Sequence, residues 1–171
     1  MLSAVFLSTE SFRYDLPKGA IKKMDKTLAN LWPEQTISKV PINLSLDSQK
    51  TLSFKLQNNS LYSILNNSKS EAYMYLSKSK SKISDFDYMV VFNPNLSILK
   101  VRVLVYREEY GGEIGSQRWL NQFIGKSKPS EMKFGDDIQN ISGATISARS
   151  LTEDVRKLAK QIKELKQKGI I

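Results

Sequence analysis

Apolar side chains recur at two spacings along this chain, and the change from one to the other marks its elements. From Lys18 onward, Ile21, Met24, Leu28 and Leu31 stand three or four residues apart, the repeat of one helix face. Pro33 after Trp32 predicts the end of that helix, and Asp15 ahead of Leu16-Pro17 is its start signal. Ile42, Leu44 and Leu46 then alternate with polar residues, as do Leu52, Phe54 and Leu56, and period two predicts two half-buried strands. Residues 71–76, with a Tyr-Met-Tyr run, and the nearly all-apolar 88–92 predict further strand. The clearest hairpin pairs 87–92 with 98–106 around Asn93-Pro94-Asn95-Leu96, residue types that suit a tight turn. In its second strand Val101, Val103 and Val105 share one face, opposite Lys100, Arg102 and Leu104. The Ser/Asn/Lys-rich stretches 57–60, 66–70 and 77–84 read as loops.

Near the C-terminus the helical period returns. Val155, Leu158, Ala159, Ile162 and Leu165 form an apolar stripe, and Arg156, Lys157, Lys160, Lys163 and Lys166 line the opposite side. Ser150 and Glu153 have the spacing of a capping box; a start nearer Ser142 is the other reading. Gly169 ends the helix. The expected fold is α+β: a single domain over 1–171, with an antiparallel sheet and an amphipathic helix at each end.

Composition narrows the chemistry. At 171 residues, 40% of them apolar, the chain can bury one good core. It has no Cys and no His, which excludes thiol nucleophiles, Cys/His zinc sites, iron–sulfur clusters and a Ser-His-Asp triad. No catalytic set and no metal site is assigned. Chemistry here rests on carboxylates, hydroxyls, Lys, Tyr or a borrowed organic cofactor. The net charge of +9 points to an anionic partner or to a Lys-rich solvated surface. Lys69, Lys78, Lys80, Lys82 and the last helix carry much of the excess, with no nucleic-acid-binding motif among them. Residues 1–8, MLSAVFLS, are apolar but too few to span a bilayer and lack a basic leader. Within 1–15 they read as the tail of an export signal or as a first strand.

Two segments carry the candidate chemistry. Tyr110-Gly111-Gly112-Glu113-Ile114-Gly115 follows directly on a strand, and Trp119 and Phe123 come next in a short helix. Glycines there let backbone approach a ligand closely. Further on, Ile141-Ser142-Gly143-Ala144-Thr145-Ile146-Ser147 leads small and hydroxyl residues into a helix, where free N–H groups and the positive dipole end favour phosphate. Read alone, the first segment is also a plain turn and the second a plain helix cap.

Ser142-Gly143-Ala144-Thr145, with Ile146-Ser147 behind it, resembles the flavinylation motif of the FMN-binding domain family. That family includes flavin-bearing components of the sodium-translocating NADH:quinone oxidoreductase and of the related electron-transport complex. The stretch from Val101 through Gly111-Gly112-Glu113-Ile114 to Trp119 is similar to what precedes the motif, so the likeness spans about 86–160. The resemblance implies that Thr145 carries FMN through its phosphate, attached by a flavin transferase that takes FMN from FAD. It implies an extracytoplasmic electron carrier rather than a self-contained enzyme, exchanging electrons with redox partner proteins that are membrane-bound or soluble. Ser142, Gly143, Ala144 and Ile146 would surround the attachment point; Gly111, Gly112, Glu113, Ile114 and Trp119 are candidates for contact with the flavin ring. One departure stands out: the family often has Asp three residues before the Ser of the motif, and this chain has Gln139, with Asp136 and Asp137 slightly upstream. The rival class is a flavin-free basic interaction module for a membrane surface or nucleic acid.

Overall fold

The computed structural model describes residues 15–54, 56 and 59–171; the signal-or-strand reading of 1–15 lies, but for Asp15, outside them. Helix α1 occupies Lys18–Leu31, where the apolar spacing places it. Pro17 is its N-cap and no side chain caps it, so Asp15 does not serve as a start signal. Its buried line is Ala20, Met24, Thr27 and Leu28, whereas Ile21 is 37% exposed. Steps of four, three and one keep those four residues on one stripe, and Ile21 falls at its flank.

Five strands follow in a meander: β1 Ile37–Pro41, β2 Leu61–Asn66, β3 Lys69–Lys80, β4 Asp85–Phe92 and β5 Ile98–Val105. Each pairs antiparallel with its chain neighbour. Asn67 and Ser68 both take left-handed φ, 47° and 67°, as a two-residue hairpin turn requires. In the 93–97 turn the Asn93 side chain accepts the Ser97 N–H at 2.9 Å.

Three expectations change here. Residues 77–80 belong to β3 and not to a loop, and of the loop read at 66–70 only Asn67 and Ser68 are turn, Asn66 ending β2 and Lys69-Ser70 opening β3. Ser79 is buried, and its hydroxyl lies 2.7 Å from that of Ser150, so polar content did not exclude strand. The alternating residues Ile42, Leu44 and Leu46, and Leu52, Phe54 and Leu56, are not strands. Between β1 and β2 the chain forms a short helix α2, Leu46–Thr51, started by Ser45, whose hydroxyl accepts the Ser48 N–H at 3.0 Å. Ile42, Leu44, Phe54 and Leu56 pack on the core from irregular backbone, and Leu46 is exposed. Lastly, Val105 does not share a face with Val101 and Val103. The β4–β5 register shifts between Asp87 and Tyr88, which turns Val105 over to the side of Leu104.

The sheet is buried on both faces, hence the unbroken apolar run of β4. On one face α1 packs against Ile64, Ala72, Met74, Leu76, Met89, Val91 and Leu104. After β5 comes a short helix α3, Gln117–Leu120, and helix α4, Thr145–Gln167, covers the other face with Leu151, Val155, Leu158, Ile162 and Leu165, over Tyr88, Val90, Val101 and Val103. Gly169 at φ 66° closes α4, and the Ile170 N–H returns to the Leu165 carbonyl at 3.0 Å. The outcome is the expected α+β fold, with an N-terminal and a C-terminal helix on opposite sides of an antiparallel sheet.

Candidate functional site

The site lies where the chain leaves β5 and where α4 begins. Arg107 pairs with Asp87, whose side chain is 1% exposed, and donates to the Asp85 carbonyl at 2.8 Å. Glu108 accepts from the Ser81 hydroxyl and from the N–H groups of Ile83 and Ser84 at 2.7 and 3.0 Å. Those bonds hold its carboxyl below the usual carboxylate range. Both residues fasten the chain beyond β5 to the ends of β3 and β4.

Tyr106 sets the next contact. Its ring packs at 5.7 Å on Phe86, and its hydroxyl lies 3.2 Å from that of Ser147, a buried residue in the first turn of α4. Gly111 sits against the same hydroxyl at φ +83°: a Cβ there would lie 2.7 Å from the Tyr106 oxygen and 3.3 Å from the Gly143 carbonyl. The two glycine segments, distant in sequence, are therefore in contact.

Beyond Gly111 the candidates divide. Gly112 and Glu113 are exposed, and a Cβ on Gly112 would meet no atom within 4 Å. Ile114 is fully buried. Trp119 is 6% exposed, donates its indole N–H to the Gln139 carbonyl at 2.6 Å and stands edge-on to Phe123. Buried Gly111 thus lies against Gly143 and Ala144, exposed Gly112 and Glu113 follow it in the chain, and Ile114 and Trp119 face the core.

At the second segment, Gly143 takes φ +83° in open space, and Ala144 is the buried N-cap of α4. The helix begins at Thr145, nearer the earlier start read around Ser142, and Ser150 lies inside it. Ser150 is spent on Ser79 and on the Lys80 N–H at 3.1 Å, so Ser150 and Glu153 form no capping box. No side chain caps α4 and its first turn holds no acid, which leaves the leading N–H groups for an external acceptor. Thr145 is exposed and its hydroxyl makes one long bond, 3.3 Å to the Ile141 carbonyl. Ser142 is exposed beside it, and Ile146 is 52% exposed.

Residue types alone did not single out Tyr106 or Arg149. Arg149, one helical turn beyond Thr145, lies over the Phe134 ring at 4.8 Å from its centroid and makes no ion pair among the described residues. The i, i+4 spacing from Thr145 was its available signal. At the departure, Gln139 is occupied structurally: its N–H donates to the Gln122 side chain at 2.8 Å and its carbonyl receives Trp119. The Asp137 carboxylate accepts the Lys133 N–H at 2.9 Å, closing a local turn.

The family model of the FMN-binding domain matches residues 82–160. This stretch is an FMN-binding domain. Its cofactor is FMN. Comparison with curated proteins gives no match. The matched stretch runs from the turn before β4 through both glycine segments and well into α4. The residues fit the cofactor's anionic end: uncapped N–H groups, the positive end of a 23-residue helix and an exposed hydroxyl meet at one spot, with Arg149 one helical turn further on. A cleft of about 210 Å³ beside Ile42, Leu44 and Leu61 is separate from it. It belongs to the excursion that Glu164 ties down through the Ser53 N–H at 3.0 Å. At 1.5 Å per residue, Glu164 is about 28 Å along α4 from Thr145.

Proposed function

We propose that this FMN-binding domain is an electron carrier whose FMN is held covalently by Thr145. The observation that carries the reading is Thr145 itself, an exposed hydroxyl in the first turn of an uncapped helix, with Gly143 and Ala144 keeping bulk away. In the attachment, Thr145 Oγ1 forms a bond to the flavin-side phosphorus of FAD, the pyrophosphate P–O bond breaks, AMP leaves, and the hydroxyl proton passes to a base of the flavin transferase. The long bond to Ile141 costs little to give up, and activation comes from the transferase, since a threonine hydroxyl is a weak nucleophile. The first-turn N–H groups of α4, with Arg149 one turn further on, would hold the phosphodiester charge. FMN supplies the capacity to take up and release electrons. Exposed Gly112 and Glu113, carried by the buried Gly111, form the open edge of the site, and exposed Tyr110 and Ile146 flank the approach of redox partner proteins. No helix among the described residues is long and apolar enough to cross a membrane. We place the domain outside the cytoplasm, beside membrane-bound partners.

Intact mass after co-expression with a flavin transferase tests the assignment. One FMN is added to the native chain and none to Thr145→Val, while Thr145→Ser keeps part of the modification. Flavin mapped to Ser142 or Ser147 refutes it.

A further inference from the structure

A cluster of cations with no counter-ion among the described residues lies on the other face of the sheet, under α1. Lys100 and Arg102 alternate along β5 and pair across to Val91 and Met89, both in the core beneath α1. Their side chains therefore stand on the α1 face, about 7 Å apart by strand geometry. From α1, which packs on β5, half-buried Lys23 beside Met24 completes the group, and burial and the Arg102 charge push the ammonium pKa values of both Lys23 and Lys100 down. Arg102 Nε is buried and has no hydrogen-bond acceptor among the described residues.

The acids nearby are committed elsewhere. Asp25, the single acid of α1, pairs with Lys39 on β1, and β5 contains none. Asp87, the carboxylate on the same face of β4, is held by Arg107. None of the three cations makes an ion pair among the described residues. Three partly desolvated positive charges at close quarters destabilise one another unless an anion joins them. A guanidinium with two ammonium groups near it suits a tetrahedral, multiply charged oxyanion, because its fork binds two oxygens and each lysine adds a point charge.

We propose that Lys23, Lys100 and Arg102 form a binding site for a phosphate group, borne by a soluble phosphate or by a lipid headgroup, on the sheet face opposite the flavin site. The site is independent of FMN attachment, so the unflavinylated full chain serves for the test. Thermal unfolding is followed in inorganic phosphate and in chloride at matched ionic strength. Saturating phosphate raises Tm by about 5–10 °C over chloride, as ligand linkage gives at a hundredfold excess over Kd. Arg102→Met and, separately, Lys100→Gln each lose that rise, and both melt higher than the native chain in chloride because a repelling charge is gone. Sedimentation with phosphatidylglycerol vesicles, against phosphatidylcholine, separates the sources. Binding that both variants lose assigns the site to a headgroup; a phosphate response without vesicle binding assigns it to a soluble ligand. Equal Tm in phosphate and chloride, with no vesicle binding, overturns the proposal. So does a phosphate response that both variants keep, which would locate the anion elsewhere, as at the start of α4.

Discussion

Replacing Gly111 by alanine isolates the contact that joins the two glycine segments. Two effects add at this position. An L-residue at φ +83° costs about 1–2 kcal/mol, and the new Cβ would stand 2.7 Å from the Tyr106 hydroxyl. Relieving that clash displaces Tyr106 from Ser147, a loss of about 1 kcal/mol, and presses on the Gly143 carbonyl. The sum is about 2–3 kcal/mol. Gly143→Ala has the same φ and open space around its Cβ, so it carries only the first effect, about 1–2 kcal/mol. Gly112→Ala has neither, and stays within about 0.5 kcal/mol of the native chain. Urea unfolding at constant m gives the three values in order Gly111 > Gly143 > Gly112. The pair Gly111→Ala with Tyr106→Phe decides the cause: deleting the hydroxyl removes the clash, so the double variant is more stable than the sum of the singles predicts. Equal losses at Gly111 and Gly143, or strict additivity with Tyr106→Phe, refute the reasoning.

Other outcomes follow from the surrounding contacts. Trp119→Ala loses about 3–5 kcal/mol in urea unfolding, as an aromatic removed from a core does, and leaves the flavin absorption of a modified sample unchanged; a spectral shift would move the indole to the ring. Arg107→Ala leaves the buried Asp87 carboxylate without its cation and costs about 3 kcal/mol, part of which Asp87→Asn restores in the double variant. Glu108, Glu131 and Glu164 all have folded-state pKa values lowered by hydrogen bonds they accept. Their stabilisation is present above the unfolded carboxylate value, near 4.3, and drains away as pH falls through the lower folded values. Asp154, raised by burial, works in the opposite direction but alone. Urea midpoints from pH 7 to 3 should fall below about pH 4.5; a flat profile there contradicts these bonds.

The parts of the fold legible in the sequence are those where one residue pattern meets one environment. Helix α4 shows its stripe because a single face is buried, and the β4–β5 hairpin shows because β4 is covered on both sides and its turn holds Pro and Asn. Strand β1 was invisible: Ile37–Pro41 is an edge strand with lysine and proline in it and most of its residues exposed. The alternation at 42–46 and 52–56 misled because apolar residues at every second position can also anchor a loop onto a core. At the site, the small-residue run 142–145 ahead of α4 and the 111–113 turn were readable as local features, whereas the contact of Gly111 with Gly143 was not. It depends on the Tyr106 hydroxyl, whose position follows from the twist of β5 and the docking of α4. Trp119 and Ile114 were ambiguous for a simpler reason, since large apolar residues near a site serve packing as readily as a ligand.

The sheet order also defines the smallest piece of this protein that can stand alone. The matched stretch 82–160 holds β4 and β5 but cuts the chain between β3 and β4. An excised fragment with those ends would leave β4 with an unpaired edge along its whole length, and that strand reads Phe-Asp-Tyr-Met-Val-Val-Phe after its first residue. It would also strip α1 from Met89 and Val91 and remove Ile162 and Leu165 from α4. A long apolar edge of that kind recruits other copies of itself. Expression trials, grafts and fusions of the flavin-bearing segment therefore need the preceding strands and α1 for solubility, although the family's recognisable residues all lie downstream.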